Sequence, residues 1–179
     1  PRMYQGYSTS VAETASTFFE ALVADTVSTS LGKEDRIAFL YDKLQDEIST
    51  IFRQVAFFRF ELELHETIRA KGWLPKEDIQ KMFAKHLKEH LGPAFDIADD
   101  DGLSFIYIGH FRNFFYVYTY AYGLLVSKAL KSMYEKDPTS IKKIDQFLSA
   151  GGSKKPEQIF KDIGIPVGKK LFIEGLKSI

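Results

Sequence analysis

Apolar residues recur every three or four positions along one long segment, and this spacing constrains the fold more than any other feature of the sequence. The segment runs from about Lys33 to Arg69, and its recurrent positions are Ile37, Leu40, Tyr41, Leu44, Ile48, Ile51, Phe52 and Val55. Such spacing places apolar side chains on one face of an α-helix, whereas a half-buried strand needs alternation at every second position. We therefore predict one long helix over this segment.

Helical patterns cover most of the remaining chain. The apolar residues within 8–28 are spaced to lie on one face of a helix. Ser10 followed by Glu13 has the spacing of a capping box at a helix start. Further helices are predicted from Pro75 to Gly92 and in segments 139–152, 155–165 and 167–179. The acidic segment 96–102 is predicted to be a loop. Since no convincing hairpin signal is present, the predicted fold class is all-α, an irregular helical bundle forming a single domain over residues 1–179.

Composition excludes several classes of function. The 24 basic and 24 acidic residues give a net charge of zero, which argues against binding to nucleic acid or to a membrane surface by bulk electrostatics. Cysteine is absent, so the sequence offers no disulfide, thiolate metal site or thiol nucleophile, and a reducing compartment is consistent with it. No apolar run reaches the roughly 18 residues that a spanning helix needs.

Five aromatic residues alternate with other residues in GHFRNFFYVYTYAYG, which spans residues 109–123. Alternation suits a strand, but the stretch continues directly into a helical pattern, so we predict a helix from about Asn113. On that helix Tyr116 and Tyr120 share one stripe, and Tyr118 and Tyr122 form an opposite stripe that belongs to the core. The phenol groups near His110 then have two interpretations: core aromatics whose hydroxyls are satisfied at the edges, or groups that contact a substrate.

Paired carboxylates on one helix are a first candidate metal site. Glu13 and Glu20 lie seven residues apart, two turns along one helical face, where they could bind a divalent cation. The alternative is that Glu13 belongs to the capping box and Glu20 is simply exposed.

Histidine-containing motifs give a second candidate. His86, Glu89 and His90 match the H-x-x-E-H pattern of inverted zinc peptidases, although such a match also arises by chance in a polar helix. The segment from His65 to Arg69 fails the H-E-x-x-H pattern, because arginine stays protonated and cannot bind zinc.

Four ordered segments resemble the oligoendopeptidase F family, zinc metallopeptidases related to thimet oligopeptidase. VAETASTFFEAL resembles the family's A-E-x-A-S-T-x-x-E helix, and IFRQVAFFRFELELHE resembles its F-R-Q-x-x-F-x-x-F-E segment. GHFRNFFYVYTYAYG is similar to H-F-x-x-x-F-Y-V-Y-x-Y-A, and FLSAGGSKKPEQIFKDIGI to the closing L-x-x-G-G-S-x-x-P segment. Together they span nearly all of the chain in the family's order.

The resemblance implies a role for each candidate residue. Glu13 corresponds to the family's third zinc ligand, and Glu20 to a second glutamate of the same helix that supports the metal ligands. His110 corresponds to a histidine near the scissile carbonyl. Of the tyrosines that follow it, face geometry favours Tyr116 and Tyr120, with Tyr118 the less favoured choice, for stabilising the oxyanion and placing the substrate.

The family's H-E-x-x-H motif, which supplies two zinc histidines and the general-base glutamate, has no counterpart in this sequence. In the family that motif precedes the A-E-x-A-S helix, so it would lie upstream of Pro1. We therefore expect a carboxy-terminal fragment of the catalytic domain of a cytoplasmic, zinc-dependent enzyme that hydrolyses short peptides. Its partner would be the missing amino-terminal part of the same protein, and the fragment alone is expected to bind zinc poorly and to be inactive.

Two other hypotheses remain open. The chain could be a non-catalytic all-α module whose aromatic stripe binds a peptide or a partner helix. It could also be a self-contained metalloenzyme that uses His86, Glu89 and His90.

Overall fold

α-Helices form most of the described part of the chain, which comprises residue 6 and residues 8–179 of a computed structural model. The α-helices are α1 (Thr9–Ser30), α2 (Lys33–Lys71), α3 (Lys76–Leu91), α4 (Tyr118–Lys136), α5 (Ile141–Ala150), α6 (Pro156–Asp162) and α7 (Lys169–Lys177). Short 3-10 helices occupy Gly92–Ala94, Asp99–Tyr107, Gly109–Arg112 and Pro138–Ser140. No strand occurs among these residues, and the predicted all-α class is confirmed.

The long helix α2 matches its prediction closely. It begins at Lys33 and ends at Lys71, two residues beyond the predicted end. Gly72 follows with φ 78°, a left-handed conformation that glycine adopts without steric cost, and its N–H donates to the carbonyl of Ile68 at 2.7 Å. The apolar periodicity therefore predicts the helix, and the glycine after it predicts where the helix ends.

The start of α1 differs from the prediction. The helix already begins at Thr9, and the N–H groups of Val11 and Ala12 donate to the carbonyl of Ser8 at 3.0 and 3.1 Å. Ser10 is buried inside the first turn, where its carbonyl accepts a hydrogen bond from the Thr14 hydroxyl at 2.8 Å. The capping box built on Ser10 was therefore wrong, because the chain is helical before Ser10 is reached.

The acidic segment after α3 also differs, since much of it belongs to the 3-10 helix Asp99–Tyr107. The Asp101 carboxylate accepts the Ala98 N–H at 2.8 Å and closes the first turn of this helix. Gly102 lies so close to α3 that a Cβ built on it would be 1.9 Å from the carbonyl oxygen of Gln80. Packing against α3 therefore fixes a segment that sequence polarity alone assigns to a loop.

Two compact units divide the chain. The terminal unit comprises the residues up to Glu47 together with Tyr122–Ile179, and the central unit comprises Ile48–Ala121. The single domain over residues 1–179 stays a prediction.

The core of the terminal unit draws on α1 and α4 to α7. Phe18, Phe147 and Phe160 are its largest fully buried side chains. Burying a phenylalanine stabilises a fold by about 1.5–3 kcal/mol relative to leaving it exposed. Other members of this cluster are Val11, Val126, Ala129, Leu130, Ile144, Ile159, Ile163, Ile165 and Leu171.

The core of the central unit is predominantly aromatic. Phe60 and Phe83 meet edge to face with ring centroids 4.8 Å apart, and Phe111 packs against both. Edge-to-face pairs of this kind add about 0.5–1.5 kcal/mol beyond the area they bury. Val117 is fully buried and is the last residue before α4, so it completes the cluster and anchors the segment that leads into that helix.

Among the described helices, none combines the length and the hydropathy needed to cross a bilayer.

Candidate active site

The predicted metal ligand Glu13 lies on α1 at a very close approach of α1 and α4. Its helix meets α4 at Gly123, where an added Cβ would lie 2.6 Å from the Glu13 Cβ and 2.9 Å from its carbonyl carbon. The Thr17 hydroxyl donates to the Glu13 carbonyl at 2.6 Å and lies 3.4 Å from the Gly123 carbonyl. Because position 123 has no side chain, the two backbones can touch, and this contact fixes the position of Glu13 relative to α4.

A cavity of about 410 Å³ lies beside Glu13 within the terminal unit. Its walls are mostly apolar, and they include Val11, Ala15, Leu148 and Gly151. Glu13 itself is half-buried, as a carboxylate at the edge of a cavity would be, and Glu20, two turns further along α1, is exposed. Of the two carboxylates, Glu13 is therefore the one that lines this cavity.

His110, Tyr116 and Tyr120 come together in the central unit. The Tyr120 hydroxyl lies 2.9 Å from His110 Nε2 and 3.5 Å from the Tyr116 hydroxyl. The His110 ring stacks on Tyr116 with centroids 5.4 Å apart and an interplanar angle of 3°. All three side chains are half-buried. We call these residues the His–Tyr cluster.

Proton placement in the His–Tyr cluster can run in two directions. A neutral imidazole carries one donor and one acceptor nitrogen. When His110 Nε2–H donates to Tyr120, the Tyr120 hydroxyl can donate to Tyr116, whose own proton is then available to an acceptor such as a carbonyl oxygen. In the opposite direction Tyr116 donates to Tyr120, Tyr120 donates to Nε2, and His110 Nδ1 carries the proton.

The backbone that carries this cluster is less helical than predicted. Gly109–Arg112 is a 3-10 helix, residues 113–117 form turns, and α4 begins only at Tyr118. The helix predicted from about Asn113 therefore begins five residues late. Phe115 interrupts it with φ 54°, which an α-helix cannot contain.

Tyr118 departs from its predicted place in the core. Its side chain is 42% exposed, and its ring contacts Phe58 edge to face. Tyr122, by contrast, packs against the core of the terminal unit and contacts Phe172. The assumption of one continuous helix from Asn113 misplaced Tyr118, because that residue is the first of α4.

The side chain of Glu61 was missed at the sequence level. It is almost fully buried in the central unit, and one carboxylate oxygen accepts the Phe115 N–H at 2.6 Å. Burial raises the pKa of Glu61, and the bond from Phe115 and the nearby His65 offset part of that rise. The sequence did contain a signal for it, because Glu61 follows several phenylalanines on a helix with a long apolar face.

The H-x-x-E-H residues have other partners. His86 is buried, with Nε2 2.6 Å from Glu63 Oε2 and Nδ1 3.6 Å from Glu89 Oε2. Burial lowers the pKa of His90, and the Arg53 charge lowers it further. The part of the chain that the structure describes contains no group of three or more His, Cys, Asp or Glu side chains that could hold a metal ion. The motif at 86–90 therefore does not form a metal site in this structure.

Comparison with known proteins identifies the family. The sequence model described as Peptidase family M3 matches residues 2–172. This chain belongs to peptidase family M3. The match covers the segment of Glu13 and that of the His–Tyr cluster. Together with the relatives described next, it confirms the resemblance to the oligoendopeptidase F family.

Two curated relatives of this chain carry the names of oligopeptidases. The chain is 30% identical over 181 residues to an oligoendopeptidase F homolog of Borreliella burgdorferi, covering 100% of this chain and 31% of that protein. It is 34% identical over 168 residues to oligopeptidase PepF of Bacillus subtilis, covering 92% of this chain and 25% of that protein. The chain thus spans between a quarter and a third of the length of these relatives. No solved structure matches it at a significant level.

Proposed function

We propose that this chain is part of a zinc-dependent endopeptidase that hydrolyses short peptides. The observation that carries the proposal is the His–Tyr cluster, which gathers one imidazole and two phenol hydroxyls at half-buried positions in a chain of family M3. Groups of this kind can donate hydrogen bonds to a carbonyl oxygen as it acquires negative charge.

Zinc in this proposal is shared with residues that this chain does not supply. A carboxylate oxygen is an ordinary zinc ligand, so Glu13 fits as one donor, and Glu20 would support the site from the same helix. Because the described residues hold no group of three donors, the remaining ligands must come from outside them. Bound zinc would polarise the scissile carbonyl and lower the pKa of a bound water.

The His–Tyr cluster would act on the carbonyl oxygen of the substrate. Tyr116 is the terminal donor when the hydrogen bonds run from His110 through Tyr120, so we assign it the contact with the oxyanion. Tyr120 would hydrogen-bond to both neighbours and link the proton on His110 to the proton on Tyr116. The tautomer of His110 would set the direction in which these hydrogen bonds run. Preorganised donors cost no reorganisation at the moment of reaction, which is why they lower the barrier.

The test replaces single hydroxyls in the longer protein that contains this chain. Tyr116→Phe and Tyr120→Phe keep the rings and remove one hydroxyl each, and Tyr118→Phe, an exposed neighbour, is the matched control. We expect kcat for a short fluorogenic peptide to fall by about 100-fold in the first two with little change in KM, because oxyanion contacts form in the transition state. Unchanged kcat in both, with a loss in Tyr118→Phe, would move the role to Tyr118.

Metal analysis of the isolated chain tests the shared zinc site. We expect far less than one zinc per chain and no peptide hydrolysis, since one carboxylate cannot hold the ion alone. Stoichiometric zinc that disappears in His86→Ala would instead support a site built on His86, Glu89 and His90.

Short peptides are the proposed substrates, and the remaining part of the same protein is the proposed partner. Neither nucleic acid nor a membrane is a proposed partner. A cytoplasmic location is part of the same proposal, and fractionation of the native protein tests it.

A further inference from the structure

We propose that Glu61 is a positioning residue that holds the turn at Phe115 and thereby sets Tyr116 against Tyr120 and His110. The inference rests on the proposed function in so far as the His–Tyr cluster acts on a substrate. Its structural part concerns contacts within the central unit only.

A single side chain links α2 to this turn. Glu61 Oε1 accepts the Phe115 N–H at 2.6 Å, although the two residues are 54 positions apart in the sequence. Glu61 is only 2% exposed. The bond therefore fixes the backbone of residue 115 to a helix rather than to another loop.

The backbone at this point needs such a restraint. Phe115 has φ 54°, and it is the one residue other than glycine with a positive φ in the described part of the chain. A bulky side chain disfavours this conformation, so it persists only where the surroundings impose it. The ring of Phe115 contributes by packing on His65 at 5.1 Å and on Phe58 at 6.1 Å between centroids.

Tyr116 directly follows this unusual residue, so the φ of Phe115 sets the direction in which Tyr116 leaves the turn. The Tyr116 N–H donates to Asn113 at 3.1 Å, and its carbonyl accepts the Thr119 N–H at the start of α4. A change of conformation at residue 115 would swing Tyr116 away from the 5.4 Å stack with His110 and the 3.5 Å hydroxyl contact with Tyr120. Misplacement of a catalytic group by about 1 Å can reduce a rate 100-fold.

Packing alone does not account for a carboxylate at position 61. Its second oxygen, Oε2, is buried and has no hydrogen-bond partner among the described residues. An unpaired buried oxygen is costly, and an apolar side chain of similar volume would avoid that cost. Burial also raises the pKa of Glu61, which is the expected response of a carboxylate in such surroundings. The acceptor for Phe115 is therefore what an apolar residue could not supply.

Two variants of similar size separate the hydrogen bond from the volume. Glu61→Met fills the space without an acceptor, and Glu61→Gln keeps a carbonyl oxygen but removes the charge. Glu66 is an exposed glutamate on the same helix, so Glu66→Met and Glu66→Gln are matched controls. Each variant is made in the longer protein that contains this chain, and two quantities are measured: hydrogen–deuterium exchange of peptides covering residues 112–117, and kcat and KM for a short fluorogenic peptide.

Glu61→Met is expected to speed exchange at Phe115 by about tenfold or more and to leave peptides from α5 and α6 unchanged. Its kcat should fall about tenfold or more, with KM within about threefold, because the oxyanion donor is displaced rather than removed. Glu61→Gln should stay close to wild type in both measurements. The Glu66 variants should change neither.

Normal exchange at Phe115 in Glu61→Met would overturn the proposal. So would Glu61→Gln matching the kcat of Glu61→Met while Phe115 stays protected, because charge rather than the bond would then be responsible. If Glu61→Met does not fold, the Gln variant decides, and rapid exchange at Phe115 in it would also overturn the proposal. The exchange measurement needs no activity, so a wild-type protein that cleaves no peptide would refute the proposed function and leave the role of Glu61 to be decided separately.

Discussion

Glu13 and Tyr116 are held in place by different kinds of contact. Glu13 lies within a regular helix whose position is fixed by backbone contact with α4 at Gly123, where no side chain intervenes. Tyr116 lies in a turn outside regular structure, held by a hydrogen bond from Phe115 to Glu61 and by ring contacts. The first arrangement depends on empty volume and the second on a specific acceptor, so different substitutions should damage them.

The largest expected effect comes from adding one methyl group at the helix contact. Gly123→Ala puts a Cβ 2.6 Å from that of Glu13 and 2.9 Å from the Glu13 carbonyl carbon. Because that carbon belongs to the backbone of α1, relief requires the two helices to shift, so we expect the free energy of unfolding to fall by about 3 kcal/mol. Urea denaturation measures it. Gly168→Ala is the control, because a Cβ there meets nothing within 4 Å. A Gly123→Ala protein as stable as wild type would show that α1 and α4 are free to separate.

Glu61 and Glu63, two buried or half-buried carboxyl groups of α2, should give opposite dependences of stability on pH. The pKa of Glu61 is raised, chiefly by burial, so the folded state binds its proton more tightly than the unfolded state. Its contribution is therefore most favourable below 4.5, the ordinary pKa of a glutamate, and is lost as the pH rises through the folded pKa. Glu61→Gln should remove that loss.

Glu63 provides the opposite case two residues away. Burial alone would raise its pKa, but hydrogen bonds from Lys85 and His86 outweigh burial and lower it. Its stabilising contribution is therefore present above 4.5 and is lost as the pH falls through the folded pKa. Denaturation of Glu61→Gln and Glu63→Gln between pH 3 and pH 7, roughly the range in which carboxyl groups titrate, compares the two. Parallel pH profiles for the two variants would contradict the assignment.

The smallest effect should come from a side-chain hydrogen bond on α1. Thr17→Val removes the hydroxyl that donates to Glu13 and keeps the shape, so we expect a loss of only about 0.5 kcal/mol. Thermal unfolding measures it. A loss as large as that of Gly123→Ala would mean that this bond, rather than the close backbone contact, holds Glu13.

Local patterns predicted the helices and failed at the turns. The apolar spacing of α2 and the glycine after it are local signals, and they gave its bounds to within two residues. The hydroxyl pair was also expected, but for an incomplete reason, since Tyr116 precedes α4 instead of lying on it. The phenol groups meet because a turn and the first turn of a helix converge.

Features that depend on distant residues were not predictable. Nothing near Phe115 indicates a positive φ, and its partner Glu61 lies 54 residues earlier in the chain. The same holds for Gly123, whose importance arises from a contact with α1 more than 100 residues away, as the 106-residue separation of Thr17 from Gly123 shows. Tertiary contacts of this kind override local preference, and one sequence contains no record of them.

The two-way hydrogen-bond chain of the His–Tyr cluster has a consequence for kinetics in heavy water. Reversing its direction moves the proton between His110 and Tyr120 and the proton between Tyr120 and Tyr116 together, since each hydroxyl must give up one partner to gain the other. If a catalytic step requires that reversal, the solvent isotope effect contains more than one transferred hydrogen. A plot of rate against deuterium fraction would then be curved, and Tyr120→Phe, which breaks the chain in the middle, would make it straight.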